Sequence, residues 1–408
     1  MRRDGALSRS MRVVAVNRFY APDESATAQL LADLSEALAE AGHDVVVITA
    51  RLSYSAARDL PAHEERRGVA VRRVWSTRFG RARLAGRMLD YLTFYLFAVV
   101  TLLVTVRRGD IVIAKTDPPM ISVGAWAVAW IRRARLVNWC QDLFPEVAGA
   151  LGMTWANGIA GRGLTALRDR SLRGAAFNAV LNAPMRAHLL DAGVAPERIG
   201  VLPNWCDAAI APVAAEANPL RKEWAAGATC VIGYSGNLGL AHMPDRVAAL
   251  VEATRAVDGL RWLFVGGGAG HDRIRRLAET KAAVTRAPYQ PRERLSLSLS
   301  APDIHLVSLD PACEGLIMPS KLYGVLAAGR PVLFLGDPDG SVAREIETHG
   351  FGVVLAADRP AEWAARVAEL VANLPDQGAA MAAAARARHI HYAPDRAIAR
   401  WTSALESL

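Results

Sequence analysis

The stretch Ser235–Gly239 (SGNLG) has the residue types of a phosphate-binding loop. It follows a predicted buried strand, Cys230–Tyr234, and precedes a predicted helix, Pro244–Val257. Glycine lets backbone N–H groups come close to an anion, and the start of a helix adds positive potential there. A tight strand-to-helix turn has the same composition, so the sequence predicts either a phosphate site or a plain turn.

A second stretch, Glu314–Tyr323 (EGLIMPSKLY), follows a predicted strand and leads into a predicted helix, Leu322–Ala328. Pro319 and Ser320 are typical of a helix start. Lys321 then lies in the first turn, where the helix dipole disfavours a cation unless an anion is bound. A bound phosphate would remove this mismatch, and a structural salt bridge is the alternative.

Two carboxylates, Asp142 and Glu146, follow the predicted strand Leu136–Cys140 in the segment QDLFPE. Open α/β sheets bind their ligands at the carboxyl ends of their strands. The pair therefore predicts a polar contact to a substrate. The alternative is structural, with an aspartate that caps a helix and a glutamate on the surface.

Other chemical motifs are incomplete or are explained better as structure. Gly266–Gly270 follows a predicted strand, but His271 lies where a dinucleotide-binding fingerprint needs its third glycine, so we expect a close approach of backbone or ligand instead. Asp337–Gly340 (DPDG) has the D-x-D spacing of metal-assisted sugar transfer, yet it is also a strong turn signal, and we predict a turn. No other carboxylate or histidine cluster has ligand spacing, so we predict no protein-held metal. The sequence also has no P-loop, no nucleophile elbow and no nucleic-acid-binding module.

The elements that must position these residues form two similar halves. In the first, a strand (Met11–Val16), a helix (Ala28–Ala41) and a second strand (Asp44–Thr49) follow one another, as in a parallel sheet. With 408 residues the chain is long enough for two or three domains. We therefore predict an α/β fold of two doubly wound, Rossmann-like domains.

The predicted boundaries follow from these elements and from the composition between them. They are a disordered lead-in over 1–10, an N-terminal domain over 11–203, a linker over 204–227, a C-terminal domain over 228–389 and a C-terminal helix over 390–408. The last helix can pack back on the N-terminal domain.

Composition excludes several classes of protein. Hydrophobic residues make up 52% and charged residues 22%, a globular balance that excludes a disordered, collagenous or coiled-coil chain. The 48 basic and 40 acidic residues give a net charge of +8, which favours anionic partners such as phosphates or an acidic membrane face. The four cysteines form no C-x-x-C pair and no signal peptide is evident, so we expect reduced thiols in a cytoplasmic protein.

The segment Tyr91–Val106 is almost wholly apolar and is flanked by arginines. Its length of about 16 residues is below the ~20 that a spanning helix needs. Three interpretations stay open: a buried crossover helix, a helix in the membrane interface with its arginines at the headgroups, and a transmembrane span.

Six motifs occur in an order that is similar to a known family. They are NRFYAPDESATAQLLADLSEALAEAGHDVVVITAR, QDLFPE, VLPNWCD, YSGNLG, FVGGGAGHDRIRRLAE and PSKLYGVLAAGRPVLF, and they run from near Met11 to Phe334. The chain thereby resembles the retaining glycosyltransferases of family 4, whose GT-B architecture has two Rossmann-like domains facing across a cleft. Within that family it looks most like the exopolysaccharide and O-antigen branch that includes the colanic-acid fucosyltransferase.

The resemblance implies a donor site for a UDP- or GDP-linked sugar, held mainly by the C-terminal half. Gly236, Asn237 and Gly239 would cradle the diphosphate of the donor. Ser320 and Lys321 would add hydrogen-bond donors and positive charge to the same site.

The remaining site residues are implied by the same resemblance. Tyr289 would lie near the base, and Glu314 would contact the donor sugar and, with Lys321, take part in catalysis. Asp142 would position the acceptor hydroxyl or stabilise positive charge at the sugar. The other acceptor-side residues are Glu146, Ser25 and Thr27.

Two departures from the family pattern affect the donor contacts. The second glutamate of the family's paired motif falls on Gly324, so the usual ribose contact is missing. The arginine and lysine that normally follow the phosphate loop are replaced by Asn237 and His242.

The activity implied is that of a retaining hexosyltransferase without a cofactor. Lys321 and helix N-termini can stabilise the leaving diphosphate without a metal. We expect a polyprenyl-diphosphate-linked acceptor in exopolysaccharide, capsule or lipopolysaccharide O-antigen synthesis, a peripheral location on the inner face of the plasma membrane and no nucleic-acid partner. The alternatives are a GT-B sugar-nucleotide 2-epimerase and a non-catalytic nucleotide-sugar-binding module.

Overall fold

The computed structural model describes residues 10–23, 25–52, 60–79, 84–268, 270–280 and 283–408. Residues 1–9, nearly all of the predicted lead-in, lie outside the described residues. The chain divides into two compact units. The first contains the described residues up to Pro203 together with Asp395–Leu408, and the second contains Asn204–Pro394.

The first unit is built on one sheet. Its strands are β1 (Arg12–Val16), β2 (Asp44–Ala50), β3 (His63–Arg66), β4 (Val69–Val74), β5 (Ile111–Lys115), β6 (Arg135–Trp139), β7 (Phe177–Val180) and β8 (Ile199–Val201). Over the described residues these form an eight-stranded sheet in the order β3-β4-β2-β1-β5-β6-β7-β8. The pair β3–β4 is antiparallel, and the neighbours on both sides of β1 run parallel to it. The central strands are apolar runs such as RVVAV because helices cover both faces of the sheet.

Helices of the first unit cover this sheet. They are α1 (Ala26–Glu40), α2 (Leu84–Thr105), α3 (Ile121–Arg132), α4 (Glu146–Ala150), α5 (Ile159–Gly174) and α6 (Ala183–Asp191). Helix α6 begins where the Asn182 side chain accepts a hydrogen bond from the Met185 N–H at 2.9 Å. The helical segments between parallel strands return the chain to the sheet edge at which the next strand starts.

The second unit repeats the pattern with a smaller sheet. Its strands are β9 (Cys230–Asn237), β10 (Leu260–Gly267), β11 (Val284–Ala287), β12 (Ile304–Ser308), β13 (Val332–Gly336) and β14 (Gly352–Ala356). They form a six-stranded sheet in the order β11-β10-β9-β12-β13-β14 within the described part of the unit. The helices are α7 (Pro219–Ala225), α8 (Pro244–Ala253), α9 (His271–Thr280), α10 (Leu295–Ser300), α11 (Lys321–Ala327), α12 (Ser341–His349) and α13 (Trp363–His391). The predicted α/β class with two parallel-sheet, Rossmann-like domains is confirmed.

The predicted linker is wrong over most of its length. Asn204 and the residues after it belong to the second unit. Helix α7 lies inside the predicted linker, and its Leu220 and Trp224 are buried in the core of that unit. The Val213 N–H donates to Ser300 Oγ at 3.0 Å, which ties the preceding segment to α10.

The end of the chain belongs to the first unit. After α13, the final helix α14 (Pro394–Glu406) places Trp401 against Trp139 of β6, with 4.5 Å between the ring centroids. Both side chains are fully buried. The division between the units therefore lies near residue 394, a few residues after the predicted boundary at 389.

Helix α2 is apolar on two different faces. Phe94, Ala98 and Leu102 lie four residues apart and are buried in the core of the first unit. The exposed apolar side chains of the same helix are Met88, Leu89, Leu92, Leu96, Phe97, Val100 and Val104. The interpretation as a buried crossover helix is therefore correct for one face only. Within the described residues, α2 is the one helix long and apolar enough to cross a membrane, judged by length and composition.

Candidate active site

The predicted donor residues gather at the carboxyl edge of the second sheet, where the strand order reverses. Strand β9 lies between β10 on one side and β12 on the other. Such a reversal leaves a crevice beyond the strand ends, and open α/β sheets bind ligands there. Gly236 and Asn237 end β9, and Lys321 begins α11.

Glycine is required at the ends of β9 and β10 because the backbones approach closely. Gly236 has a φ of +113°, and a Cβ atom there would lie 3.2 Å from Lys321 Cε. Gly266 pairs with Gly236 and has a φ of +128°, and its Cβ atom would lie 2.5 Å from the Gly236 carbonyl oxygen. The close backbone approach predicted at Gly266–Gly270 is confirmed, and the Lys321 side chain lies against the Gly236 backbone.

Lys321 forms a hydrogen bond with His242, which follows the predicted donor loop. Its Nζ lies 2.9 Å from Nε2 of His242. Nδ1 of His242 lies 2.6 Å from the carbonyl oxygen of Ser308, the last residue of β12. Because a carbonyl oxygen can only accept, we assign the proton to Nδ1, and Nε2 then accepts from Lys321. His242 thus connects Lys321 to the end of β12.

Burial sets the charge states of this pair. Both side chains are half-buried. Burial lowers the pKa of Lys321 to about 7. Burial, followed by the charge of Lys321, lowers the pKa of His242 to about 4. At neutral pH His242 is therefore neutral, Lys321 is near the midpoint of its titration, and a bound anion would favour the charged ammonium.

Asn237 and Tyr289 lie against the glycine run that ends β10. The Asn237 amide oxygen occupies the space that a Cβ atom of Gly268 would need, at 2.0 Å. The Tyr289 ring lies 3.1 Å from the position of a Cβ atom on Gly267, and 60% of the residue is exposed. An exposed aromatic ring beside the strand ends is suited to stack on a flat ligand. The two other predicted donor residues are Gly239 and Ser320. Gly239 is half-buried shortly after the end of β9, and Ser320 is exposed directly before α11.

Glu314 has a structural contact in addition to its predicted role. Its Oε1 accepts a hydrogen bond from the Ser341 N–H at 2.9 Å, at the start of α12. A carboxylate at this position complements the positive end of the helix dipole. The contact orients Glu314, and its proposed contact with the donor sugar stays a prediction.

The DPDG segment forms the predicted turn. The Gly340 N–H donates to the Asp337 carbonyl at 3.1 Å, and the Asp339 N–H donates to the Asp337 side chain at 2.9 Å. This is the pattern of an aspartate that stabilises its own turn. Among the described residues no group of three or more His, Cys, Asp or Glu side chains is placed to hold a metal ion. Independence of metal stays a prediction.

A second polar cluster lies at the carboxyl edge of the first sheet. Asp117 follows β5, and its Oδ2 accepts a hydrogen bond from Thr27 Oγ1 at 2.6 Å. Lys115, the last residue of β5, is fully buried, with Nζ 3.6 Å from the centroid of the Trp139 ring. Burial lowers the pKa of Lys115 well below its ordinary value. Ser25, at the start of α1, donates its backbone N–H to Asp23 at 2.9 Å.

Asp142 lies beyond the end of β6. Asp142 is exposed by accessible surface. The protein packed around its carboxyl group, and then the nearby Asp117 carboxylate, raise its pKa above the ordinary value. A raised carboxyl pKa suits a group that handles protons or positive charge in a reaction.

Glu146 makes structural contacts within the first unit. It forms a two-pronged ion pair with Arg168 of α5, with distances of 3.0 and 2.5 Å. Burial alone would raise its pKa, but hydrogen bonding to His188 and the charge of Arg168 outweigh burial and lower the pKa to about 2. These contacts are structural, but they are those of a half-buried ion pair and not of the surface glutamate weighed as the alternative. A contact between Glu146 and the acceptor remains a prediction.

Three residues of these clusters were not predicted as site residues: Asp117, Lys115 and His242. Asp117 lies two residues after the end of β5, as Asp142 lies soon after β6, so the rule applied to Asp142 would have found it. His242 was recognised as a departure from the family pattern, but 79 residues separate it from its partner Lys321. Spacing along the chain contains no signal for such a pair.

The carboxyl edges of the two sheets present different chemical groups. In the second unit, a lysine, glycine backbone and an exposed tyrosine are arranged to bind a phosphate group and a flat ring. In the first unit, the cluster contains a carboxylate of raised pKa beside a second carboxylate. The first set of groups is suited to an anion, and the second is suited to orient a hydroxyl group.

Comparisons with known proteins find a family domain in the first unit and two related glycosyltransferases. Residues 26–205 match the model of the "Glycosyl transferase 4-like domain" family. A protein of Escherichia coli K12 assigned as the colanic acid biosynthesis glycosyl transferase WcaI is 26% identical over 78% of this chain and 82% of its own length. A protein of Pseudomonas aeruginosa assigned as the glycosyltransferase WbjE is 25% identical over 67% of this chain and 69% of its own length.

Solved structures share the fold across the whole chain. HepE of Anabaena, in complex with UDP and glucose, has a TM-score of 0.71 at 16% identity and covers 98% of this chain and 100% of its own. WaaG, a glycosyltransferase involved in lipopolysaccharide biosynthesis, has a TM-score of 0.68 at 17% identity and covers 95% and 98%. Residues 26–205 therefore contain a glycosyl transferase 4-like domain, and the chain as a whole has the GT-B fold of these solved structures.

Proposed function

We propose that this protein is a retaining hexosyltransferase that moves a sugar from a nucleoside-diphosphate sugar to a polyprenyl-diphosphate-linked glycan in the synthesis of a surface polysaccharide. The observation that carries the proposal is the position of Lys321 against the Gly236 backbone at the carboxyl edge of the second sheet. A half-buried amine beside a glycine-lined strand end is suited to a diphosphate.

The chemistry follows from the charge that the leaving group develops. As the bond from the sugar to the diphosphate breaks, negative charge grows on the phosphate oxygens, and Lys321 is placed to stabilise it. The departing phosphate takes the proton of the acceptor hydroxyl, which attacks from the same face of the sugar, so the anomeric configuration is retained. Asp142 orients that hydroxyl or stabilises the positive charge on the sugar ring.

The relatives support the substrate classes in this proposal. HepE is bound to UDP and glucose in its solved structure, which favours a UDP-linked hexose as donor. WcaI is assigned to colanic acid synthesis and WaaG to lipopolysaccharide synthesis, which favours a bacterial surface glycan as product. The second departure, His242 in place of a family cation, leaves Lys321 as the cation that we assign to the diphosphate.

A membrane-bound acceptor is supported by the exposed side of the first unit. Leu92, Leu96, Val100 and Val104 form an exposed apolar stripe along α2. Helix α3 packs against α2, and Trp130 near its end is 76% exposed. We call these five residues the α2–α3 apolar face. Four exposed arginines lie at or just after the ends of these two helices, namely Arg107, Arg108, Arg132 and Arg133.

The α2–α3 apolar face is suited to an anionic membrane surface. Tryptophan and aliphatic side chains enter the boundary between headgroups and acyl chains, and arginines bind anionic headgroups. The opposite face of α2 packs in the core of the unit, which favours a helix lying in the plane of the membrane over a transmembrane span. We therefore propose a peripheral protein on the cytoplasmic leaflet.

A transfer assay tests the proposal. Purified protein is incubated with bacterial membranes that contain lipid-linked glycans and with a panel of UDP- and GDP-hexoses. We expect labelled sugar in the lipid fraction from one donor, and NMR of the product should show the anomeric configuration of that donor. A 2-epimerase would instead convert a UDP-sugar without acceptor, and a non-catalytic module would bind the donor without turnover.

A further inference from the structure

We propose that His242 is a positioning residue of the donor site: it holds the Lys321 amine toward the diphosphate and, as a neutral acceptor, lets that amine take up a proton when the diphosphate binds. This inference rests on the proposed function. His242 stands where the family usually has a cation that contacts the diphosphate. In our proposal it instead orients the cation Lys321.

The hydrogen bonds of His242 determine which atom donates between Lys321 and His242. Nδ1 of His242 is 2.6 Å from the Ser308 carbonyl oxygen, and the Ser308 hydroxyl donates to the His242 carbonyl oxygen at 2.9 Å. These two contacts hold the imidazole at the end of β12 in one orientation. Nε2 is therefore a fixed acceptor, 2.9 Å from Lys321 Nζ. The lysine is flexible by itself, and the imidazole restricts its amine to one position.

Among the described residues, Lys321 forms no ion pair with a carboxylate. The groups that face its amine are His242 from the turn after β9 and the Tyr234 ring, which is 5.2 Å from Nζ. The ring of Tyr234 also lies edge-on to His242, with 6.3 Å between the centroids. Burial is the cause that lowers the pKa of Lys321 to about 7, and no neighbouring carboxylate offsets it.

Proton uptake follows from this arrangement. In the free site, Lys321 loses its proton as the pH rises through about 7. A bound diphosphate favours the ammonium and raises its pKa, so binding above pH 7 takes up protons, and affinity falls as the pH rises. His242 does not contribute in this window because its pKa is lowered to about 4. The β-phosphate of free UDP titrates near pH 6, so UDP is already ionised between pH 7 and 9.

Calorimetry of UDP binding to the wild-type protein gives the first test. Titrations at pH 8 in two buffers of different ionisation enthalpy should show an uptake of between half and one proton per UDP. By linkage, affinity should then fall between about sevenfold and fiftyfold from pH 7 to pH 9. Equal heats in both buffers, together with pH-independent affinity, would overturn the protonation part of the inference without any variant.

Substitution of His242 gives the second test. His242→Phe keeps a ring but removes the acceptor, and we expect it to weaken UDP binding about tenfold. His242→Gln keeps an acceptor and should recover part of that loss. His349→Gln on α12 is the matched control for the substitution, since His349 is in the same unit and faces Glu345. Circular dichroism and thermal melting of each variant establish that the fold is kept.

The outcomes separate this inference from the proposed function. If the wild type binds UDP and Lys321→Ala weakens binding while both His242 variants bind as tightly as the wild type, the positioning role is wrong and the donor site stands. If the wild type binds neither UDP nor GDP, the donor site itself is wrong and the inference fails with it. A loss in His242→Phe, with partial recovery in His242→Gln and none of the loss in His349→Gln, supports the inference.

Discussion

At the scale of single residues, donor capture depends on Lys321. We expect Lys321→Ala to lower affinity for UDP or GDP by about tenfold or more, because a hydrogen bond to a charged group contributes ~1.5–3 kcal/mol. Isothermal titration calorimetry measures the change. Lys222→Ala is the matched control, since Lys222 is an exposed lysine of the same unit on α7. Equal affinities for wild type and Lys321→Ala would remove Lys321 from the site.

The two aspartates at issue should respond differently to the same substitution. Asp142→Asn should lower turnover and keep donor binding, because the carboxylate acts on the sugar or the acceptor in our proposal. Asp337→Asn should leave transfer nearly intact, since Asp337 stabilises its own turn. Initial rates and calorimetry measure both effects.

The metal dependence of transfer is measured in the same assay. We expect activity to survive EDTA, because Lys321 can stabilise the diphosphate without a cation. Activity that EDTA abolishes and manganese restores would contradict this expectation. A fully active Asp142→Asn enzyme would contradict the separate role proposed for Asp142.

At the scale of elements, the two faces of α2 make separate predictions. Replacing Leu92, Leu96 and Val100 with serine should reduce sedimentation with anionic vesicles and leave stability nearly unchanged, because these side chains are exposed. The binding should weaken in high salt, since each basic residue near the surface contributes ~1 kcal/mol. Phe94 is unsuited to this experiment because it is fully buried.

The control for the vesicle experiment is Ile390→Ser, which changes an exposed apolar residue on α13 of the second unit. It should sediment with vesicles like the wild type. If the wild-type protein fails to bind anionic vesicles in low salt, α2 is a crossover helix whose exposed face has another use.

At the scale of the whole molecule, the last helix returns to the first unit. Trp401→Ala should destabilise that unit by ~3–5 kcal/mol, because it leaves a cavity beside Trp139 where both rings are fully buried. Urea unfolding followed by circular dichroism measures the change. Trp130→Ala is the control, since Trp130 is 76% exposed, and its effect should stay within about 0.5 kcal/mol. Similar stabilities for the two variants would show that α14 contributes little to the first unit.

Much of the fold could be predicted from the sequence because parallel strands buried on both faces are continuous apolar runs. The strand predicted at Asp44–Thr49 is observed at Asp44–Ala50, and the one predicted at Met11–Val16 at Arg12–Val16. The predicted linker failed where a short helix, α7, buries only two large side chains, Leu220 and Trp224. Seven residues contain too few turns for a helical pattern to stand out.

The candidate site was also only partly predictable from the sequence. The sequence by itself determined the glycines at the end of β9 and the lysine at the start of α11, because backbone conformation and helix position restrict residue type locally. Only the tertiary structure decided that His242 lies beside Lys321, that Glu314 binds the start of α12 and that one face of α2 stays exposed. These features depend on which elements become neighbours, and contacts between residues far apart in the chain leave no local pattern in the sequence.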